Sequence, residues 1–307
     1  MRVVFFGTPE FAVPSLEALR REGHEVAAVV TQPDRPQGRH RSTLVAPPVK
    51  LAAEAAGLHV HQPDRPVGDL FAATLRHLNA DLGVVVAYGH ILRPEILAIP
   101  KHGMINVHAS LLPRWRGAAP IQAAILAGDR ATGVSVMQME AGLDSGPVYL
   151  ERELPIAAED TAGTLTPRLA ELGAEALMEV VDVFEGGKPT SKPQDHVRAT
   201  MAPKVTRPAA RTPWERSAVE VALHLRAYDP WPAAWTEGPE GELKLFTPRM
   251  AEGRGAPGQV LEAGPAFVVA CGEGAVQVAE VKAAGGRRLP AAEWLRGRPI
   301  AVGAVLR

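Results

Sequence analysis

The chain has 307 residues and a single cysteine, Cys271. One thiol cannot close an intrachain bridge, so no disulfide framework holds this fold. In Phe267-Val268-Val269-Ala270-Cys271 the thiol reads as a buried small hydrophobe, with no histidine following nearby to activate it. No run of about 18 apolar residues occurs, so the sequence offers no helical membrane span. Met1–Gly7 enters an apolar strand at once, which leaves no room for a signal or transit peptide; a cytoplasmic location is expected. The ten histidines are scattered, without a cysteine pair or an H-E-x-x-H motif, and no metal site is expected. His59-x-His61 fits alternate polar residues on a short strand better than a ligand pair. G-x-G-x-x-G is absent after the first strand, and in Gly7-Thr8-Pro9 the proline removes a backbone donor that a pyrophosphate would use. NAD binding is therefore disfavoured, and Gly7 reads as the tight point of a strand-to-helix turn.

What is present is ordinary in bulk and uneven in detail. Hydrophobic residues make up 46% and charged residues 22%, as in a soluble globular protein, and the length allows two cores. The formal net charge of −1 hides an asymmetry. Residues 1–189 carry 17 Lys+Arg against 22 Asp+Glu, while residues 190–307 carry 16 against 12. A modestly basic second half suits a polyanionic partner without demanding one.

Arg2–Gly7, Val26–Thr31, Leu82–Ala87 and Gly103–Val107 read as strands, and the run Val84-Val85-Val86 fits a strand buried on both faces. Glu10–Arg21, Pro47–Ala56 and Thr161–Phe184 have helical spacing and end at or near glycine. This alternation predicts an α/β, doubly wound, mostly parallel sheet over residues 1–189. Residues 190–208 fall in a Pro- and Lys/Arg-rich stretch of weak periodicity, read as a linker. In residues 209–307 a helix over Trp214–Arg226 precedes short strand-like pieces at Leu243–Thr247, Gly258–Ala263, Ala266–Ala270 and Val276–Val281, which predict a small β-barrel. Gln-Pro-Asp-Arg-Pro occurs at Gln32–Pro36 and again at Gln62–Pro66; with no third copy there is no repeat array, and the second copy is read as coincidence.

The chemistry concentrates in Asn106-Val107-His108-Ala109-Ser110-Leu111-Leu112-Pro113 and in Gly142-Leu143-Asp144-Ser145-Gly146. With Met104–His108 as a strand, Asn106 and His108 leave its same face. An amide there can donate to a developing oxyanion, an imidazole can move protons, and a carboxylate can orient and stabilise that imidazole. These are the parts that acyl transfer to an amine needs. Taken singly each residue has a structural reading: a satisfied histidine, turn chemistry for the asparagine, a loop cap for the aspartate. Their conjunction with Ser110-Leu111-Leu112-Pro113 decides against those readings.

This segment resembles the signature of the tetrahydrofolate-dependent formyltransferases, Asn-x-His-x-Ser-Leu-Leu-Pro followed by a Gly-Leu-Asp-[Ser/Thr]-Gly loop. Phe6–Ala12, Thr31–Pro36, Val86–Gly89, Arg114–Ile121 and, far downstream, Tyr228–Trp235 are similar to the methionyl-tRNA formyltransferase family within that group. The resemblance implies a formyltransferase (Rossmann-like) first domain and an oligonucleotide-binding-like C-terminal barrel that contacts tRNA. It implies 10-formyltetrahydrofolate as formyl donor, methionyl initiator tRNA as acceptor, no metal and a monomer. Asn106, His108 and Asp144 take the catalytic roles. Ser110, Leu111, Leu112, Pro113, Tyr88, Gly89, Ile91 and Leu92 take the folate: two leucines give an apolar wall and the backbone gives hydrogen-bonding edges.

The basic run Arg35-Pro36-Gln37-Gly38-Arg39-His40-Arg41 reads by itself either as a solvated loop or as a finger for phosphates and an exposed base. The resemblance makes Arg35, Arg39 and Arg41 tRNA contacts, together with Lys204 and Arg207 of the linker, although the family's Gly-Arg-Gly-Lys-Lys is here Gly-Arg-His-Arg-Ser. Pro203, Arg207 and Pro213 also depart from the family's residues. Trp231 and Trp235 read as hydrophobic anchors or as stacking platforms. Two other functions stay open on sequence alone: a folate formyltransferase acting on a nucleotide sugar or ribonucleotide, and a catalytically silent RNA-binding protein.

Overall fold

The structure, a computed structural model, describes residues 1–37, 43–187 and 189–307. Gly38, Arg39, His40, Arg41 and Ser42 of the basic run lie outside the described residues. The chain divides into two compact units. The first comprises Met1–Pro120, Ala131–Pro155 and Thr166–Ala202, and the second Ile121–Arg130, Ile156–Leu165 and Pro203–Arg307.

The chain opens with β1 (Arg2–Gly7), α1 (Val13–Arg21), β2 (Glu25–Val30), the short β3 (Arg35–Gln37) and β4 (Thr43–Val45), α2 (Pro48–Ala55) and β5 (Val60–His61). Next come α3 (Asp69–His77), β6 (Leu82–Val86), α4 (Pro94–Leu97), β7 (Met104–His108), β8 (Arg116–Gly117) and α5 (Pro120–Leu126). Then follow β9 (Ala131–Gln138), β10 (Val148–Pro155), α6 (Ala162–Gly186) and β11 (Met201–Ala202). Seven of these strands form one sheet in the order β10-β9-β7-β6-β1-β2-β5. The pairs from β5 to β7 are parallel, while β9 and β10 are added antiparallel at one edge. This is the mostly parallel α/β sheet that the sequence predicts.

The central strands β1 and β6 form where the sequence runs apolar, Val3–Gly7 and Leu82–Val86. Every residue of β6 and β7 is buried, as a strand covered on both faces requires. The edge strand β10 instead alternates between partly buried and exposed residues. From the central β1 the chain winds out through β2 to β5, then returns to β6 on the other side of β1. That reversal is the switch point beyond whose strand ends α/β sheets bind ligands. The turn after β1 and Tyr88 just beyond β6 meet there: Thr8 Oγ1 donates to the Tyr88 carbonyl at 3.0 Å, and Gln32 Nε2 donates to it at 2.9 Å.

The second unit contains α7 (Ala218–Tyr228), β12 (Ala234–Gly238), β13 (Gly241–Ala251), β14 (Val260–Ala263), β15 (Phe267–Ala270), β16 (Ala275–Ala283), β17 (Leu289–Pro290) and α8 (Ala291–Gly297). Its strands make a six-stranded antiparallel sheet in the order β12-β13-β16-β15-β14, with β17 beside β16. Val221 and Leu225 of α7 share a core with Leu245, Val260, Phe267, Val276 and Cys271. Burial pushes the Cys271 thiol up to about 11, consistent with an inert apolar role. The helix expected from Trp214 begins later, because Ser217 caps it: its hydroxyl accepts from Glu220 N, and the Glu220 carboxylate accepts from Ser217 N. Trp214 lies ahead of the helix, buried, with Nε1 donating to Thr236 Oγ1 at 3.0 Å. Among the described residues no helix is long and apolar enough to cross a membrane, and no cluster of three or more His, Cys, Asp or Glu could hold a metal.

Candidate active site

β7 holds Asn106 and His108 between two neighbours. Asn106 lies opposite Val85 of β6 and Met137 of β9, and His108 lies opposite Ser135 of β9. The strand period puts both side chains on one face. They are 8% and 6% exposed. The Asn106 amide makes no hydrogen bond to the described residues, so its donors are free for a reacting group.

Two oxygens flank the His108 ring. Nε2 lies 2.9 Å from the Trp115 carbonyl. Nδ1 lies 3.7 Å from Asp144 Oδ2, which itself accepts from Gly117 N at 2.8 Å. Only the Nε2 contact is within hydrogen-bonding distance; the Asp144 carboxylate stands beyond it from Nδ1.

The loops that carry these oxygens hold unusual backbone. Trp115 has φ +60° and Asp144 φ +47°, and Ala87 at the end of β6 has φ +47°. Such residues cost on the order of 1–3 kcal/mol each and persist only when the surroundings over-determine them, commonly at functional sites. Gly117 has φ +118°, and a Cβ on it would lie 2.6 Å from the Ala202 carbonyl oxygen. Only glycine lets β8 approach β11 while its N–H reaches Asp144.

Sequence reasoning missed the residues that hold these loops. Gln194 Nε2 donates to the carbonyls of Asp144 and Gly146 at 2.9 and 2.7 Å. Gln194 Oε1 accepts from Arg116 Nε and Nη2 at 3.0 and 2.6 Å. Thr200 Oγ1 accepts from Trp115 N at 2.9 Å. No local motif announces Gln194 or Thr200. The glycines at 117 and 146 are the nearest signal, since both mark close backbone approach.

The residues expected at a folate site divide by burial. Tyr88 and Leu92 belong to one apolar cluster, and Leu112 packs with Met137 and Val148 in another. Their side chains fill the core, so what they present outward is backbone. Burial pushes the Tyr88 hydroxyl up to about 12. Gly89 has φ +82° above the Gln32 amide. Ser110 is fully buried: its hydroxyl donates to Arg114 O at 2.6 Å and its carbonyl accepts from Ser135 Oγ at 2.7 Å. Ile91 is 81% exposed, whereas Leu111 and Pro113 are half-buried.

Of the residues expected to meet tRNA, Arg39 and Arg41 lie outside the described residues. Arg35 is exposed and its guanidinium donates to Gln32 Oε1. The first copy of the repeated pentapeptide is tied to the second, since Gln62 Nε2 donates to Gln32 O and Asp34 Oδ1. Hydrogen bonds from Gln62 and Lys50 hold the Asp34 carboxyl below its ordinary range. Lys204 and Arg207 lie in the second unit, both exposed. Arg207 pairs with Glu242 and lies over the Trp235 ring, whose Nε1 donates to the Arg207 carbonyl at 3.0 Å. Trp235 packs on the second core and Trp231 is exposed, so the two tryptophans differ in kind.

The family described as formyl transferase matches residues 1–181, and its C-terminal domain matches residues 204–299. The chain belongs to the formyl transferase family. This formyltransferase is 47% identical over 308 residues to a protein named methionyl-tRNA formyltransferase from Sinorhizobium medicae, covering 99% of this chain and 98% of that one. It is 50% identical over 302 residues to a protein of the same name from Stenotrophomonas maltophilia, covering 97% and 98%. A crystal structure of HypX from Aquifex aeolicus in complex with tetrahydrofolic acid matches with a TM-score of 0.65 at 22% identity. That match covers 96% of this formyltransferase and 47% of the longer HypX chain, and it speaks to the fold.

Proposed function

We propose that this formyltransferase moves the formyl group of 10-formyltetrahydrofolate to the α-amino group of methionine carried by initiator tRNA. The observation that carries this reading is a free amide and an imidazole on one face of β7, with a carboxylate 3.7 Å from the ring. The near full-length similarity to proteins named methionyl-tRNA formyltransferase directs the acceptor choice. Bound 10-formyltetrahydrofolate supplies an electrophilic formyl carbon and the departing N10.

The chain's residues do the rest. Asn106 donates to the formyl oxygen as negative charge develops on it, a contact that strengthens in the transition state. His108 takes the proton that the attacking amine must lose and returns one toward N10. Asp144 and the Trp115 carbonyl stabilise the ring while it is charged. Exposed Ile91 and Leu143, half-buried Leu111 and the backbone at Tyr88–Gly89 offer the apolar surface and polar edges that suit a pterin ring. Arg35, Arg39, Arg41, Lys204 and Arg207 contact the acceptor tRNA. The protein works as a cytoplasmic monomer.

The deciding assay follows labelled formyl from 10-formyltetrahydrofolate to charged initiator tRNA, with amino-sugar nucleotide and glycinamide ribonucleotide acceptors alongside. Transfer to tRNA alone is the expected result. Transfer to a small acceptor instead would overturn the tRNA assignment, and transfer to none would overturn the enzyme reading.

A further inference from the structure

We propose that Gln194 and Thr200 are positioning residues for His108, which makes residues 194–202 a brace of the active site. The His108 ring sits on the rigid β7, but neither oxygen that flanks it does. The Trp115 carbonyl and the Asp144 carboxylate lie on loops with left-handed backbone at non-glycine residues, and such loops must be held from outside. Residues 194–202 supply both holds. Thr200 Oγ1 accepts from Trp115 N at 2.9 Å, Thr200 O accepts from Arg116 N at 2.9 Å, and Thr200 N donates to Pro113 O at 3.3 Å. Gln194 spends both amide protons on the Asp144 and Gly146 carbonyls.

Arg116 fixes which way that amide points. Arg116 is 8% exposed, and among the described residues it pairs with no carboxylate. Its guanidinium donates to Gln194 Oε1 and to His196 Nδ1, the latter at 3.1 Å. A guanidinium bears only donors, so the Gln194 oxygen must face Arg116 and the Gln194 nitrogen must face the Asp144 loop. Gln194, itself 8% exposed, therefore couples the loop carrying Asp144 to the loop carrying Trp115. A buried guanidinium answered by an amide and an imidazole is a costly way to obtain stability alone. What it secures is orientation.

The geometry supplies variants that separate positioning from folding. Gln194→Glu keeps Arg116 partnered but removes both donors to the Asp144 loop. Thr200→Val keeps shape but removes the Thr200 hydroxyl contact to Trp115 N, and Thr200→Ser restores that contact. The experiment uses the full chain and measures kcat and KM for formyl transfer, urea midpoints, and imidazole 15N signals, with His108 assigned through His108→Gln. The kinetic readout rests on the formyl-transfer reading; the ring signals do not.

Expected for Gln194→Glu and Thr200→Val is a fall in kcat of ~100-fold, as for an ångström-scale misplacement, with KM for tRNA within about threefold of the parent. The His108 ring signals shift in both variants and return in Thr200→Ser. Unchanged kcat, a loss confined to KM, or an equal loss in Thr200→Ser would overturn the brace. If the parent transfers no formyl to tRNA, the proposed function fails, yet the ring signals still decide: shifted signals support the brace and unmoved signals overturn it.

Discussion

Replacing Asp144 by asparagine removes a charge while sparing a loop contact, and the structure bounds the effect. Asp144 Oδ2 lies 3.7 Å from His108 Nδ1, and its side chain is 17% exposed. At that separation, with an effective dielectric of about 20, a carboxylate attracts an imidazolium by roughly 4 kcal/mol. Residual solvent exposure screens part of this, leaving ~2–3 kcal/mol that acts only while the ring is charged. Because 3.7 Å is beyond hydrogen-bonding distance, the loss should stay below the ~10,000-fold seen where a triad carboxylate bonds its histidine directly. A fall in kcat of about 100-fold is therefore expected. The asparagine oxygen can still accept from Gly117 N, as Oδ2 does at 2.8 Å, so the loop should keep its place. The assay pairs kcat for formyl transfer with the affinity of a folate analogue measured by fluorescence. A kcat within about threefold of the parent would refute the electrostatic role. A parallel loss of folate affinity would assign the defect to the loop instead.

Asn106→Ala should lower kcat by ~100- to 1000-fold through loss of one oxyanion donor, with folate affinity retained; near-normal turnover removes the asparagine from the mechanism. His224 in α7 is 8% exposed, and burial pushes its imidazole down to about 4, against smaller opposing contributions from the backbone at Ala210 and Arg211. The unfolded chain binds that proton below pH ~6.5 and the folded one only below pH ~4, so stability falls as pH drops through this window, by up to roughly 3 kcal/mol. His224→Phe should flatten the difference between urea midpoints at pH 5 and pH 7, and an unchanged difference would put the dependence elsewhere. Neutralising Arg39 and Arg41 together should weaken tRNA binding and reduce its salt dependence by roughly one unit of log–log slope for each phosphate that these arginines neutralise, with folate affinity unmoved. Equal slopes for variant and parent would leave that loop without a phosphate role.

The strands that carry the site are legible because each is locally determined. Val3–Gly7 and Leu82–Val86 are apolar without interruption, as a strand covered on both faces must be, and both strands lie where the pattern puts them. The pattern is weaker where burial is one-sided, as in β10, or where buried positions are polar, as in β9. β10 carries Glu151, Arg152 and Glu153 among its eight residues, and β9 buries Thr132 and Ser135, so neither reads as a core strand. α3 also escapes the sequence reading, with Gly68 ahead of it rather than a side-chain cap. The start of α7 is misplaced by the apolar spacing although Ser217 and Glu220 spell a capping box, a signal present in the sequence. β8 and β11 have two residues each and exist only as a pair, 85 positions apart at Met201 and Arg116. No window of local sequence can contain such an element.

The same division runs through the chemistry. Asn106 and His108 are two residues apart on one strand, so their shared face follows from the strand period alone. What surrounds the His108 ring is remote: Asp144 is 36 residues on, Gln194 meets Arg116 across 78 residues, and Thr200 meets Trp115 across 85. Local pattern places the Asn106–His108 pair on a strand, but the oxygens beside the two ring nitrogens come from outside the sheet. A strand cannot supply both, because its own carbonyls are committed to the ladder and lie in the plane of the sheet. Loops can, provided that something stiffer than the loops holds them. Residues 194–202 fill that place by bonding backbone to backbone at β8–β11 and by one buried amide whose every hydrogen-bonding group is used. Composition gives a weak hint of this, since a buried glutamine and a buried arginine are each uncommon, but burial is itself a property of the folded chain. The shared face of Asn106 and His108 is therefore readable from sequence, and the surroundings of that pair become readable only when distant segments are brought into contact.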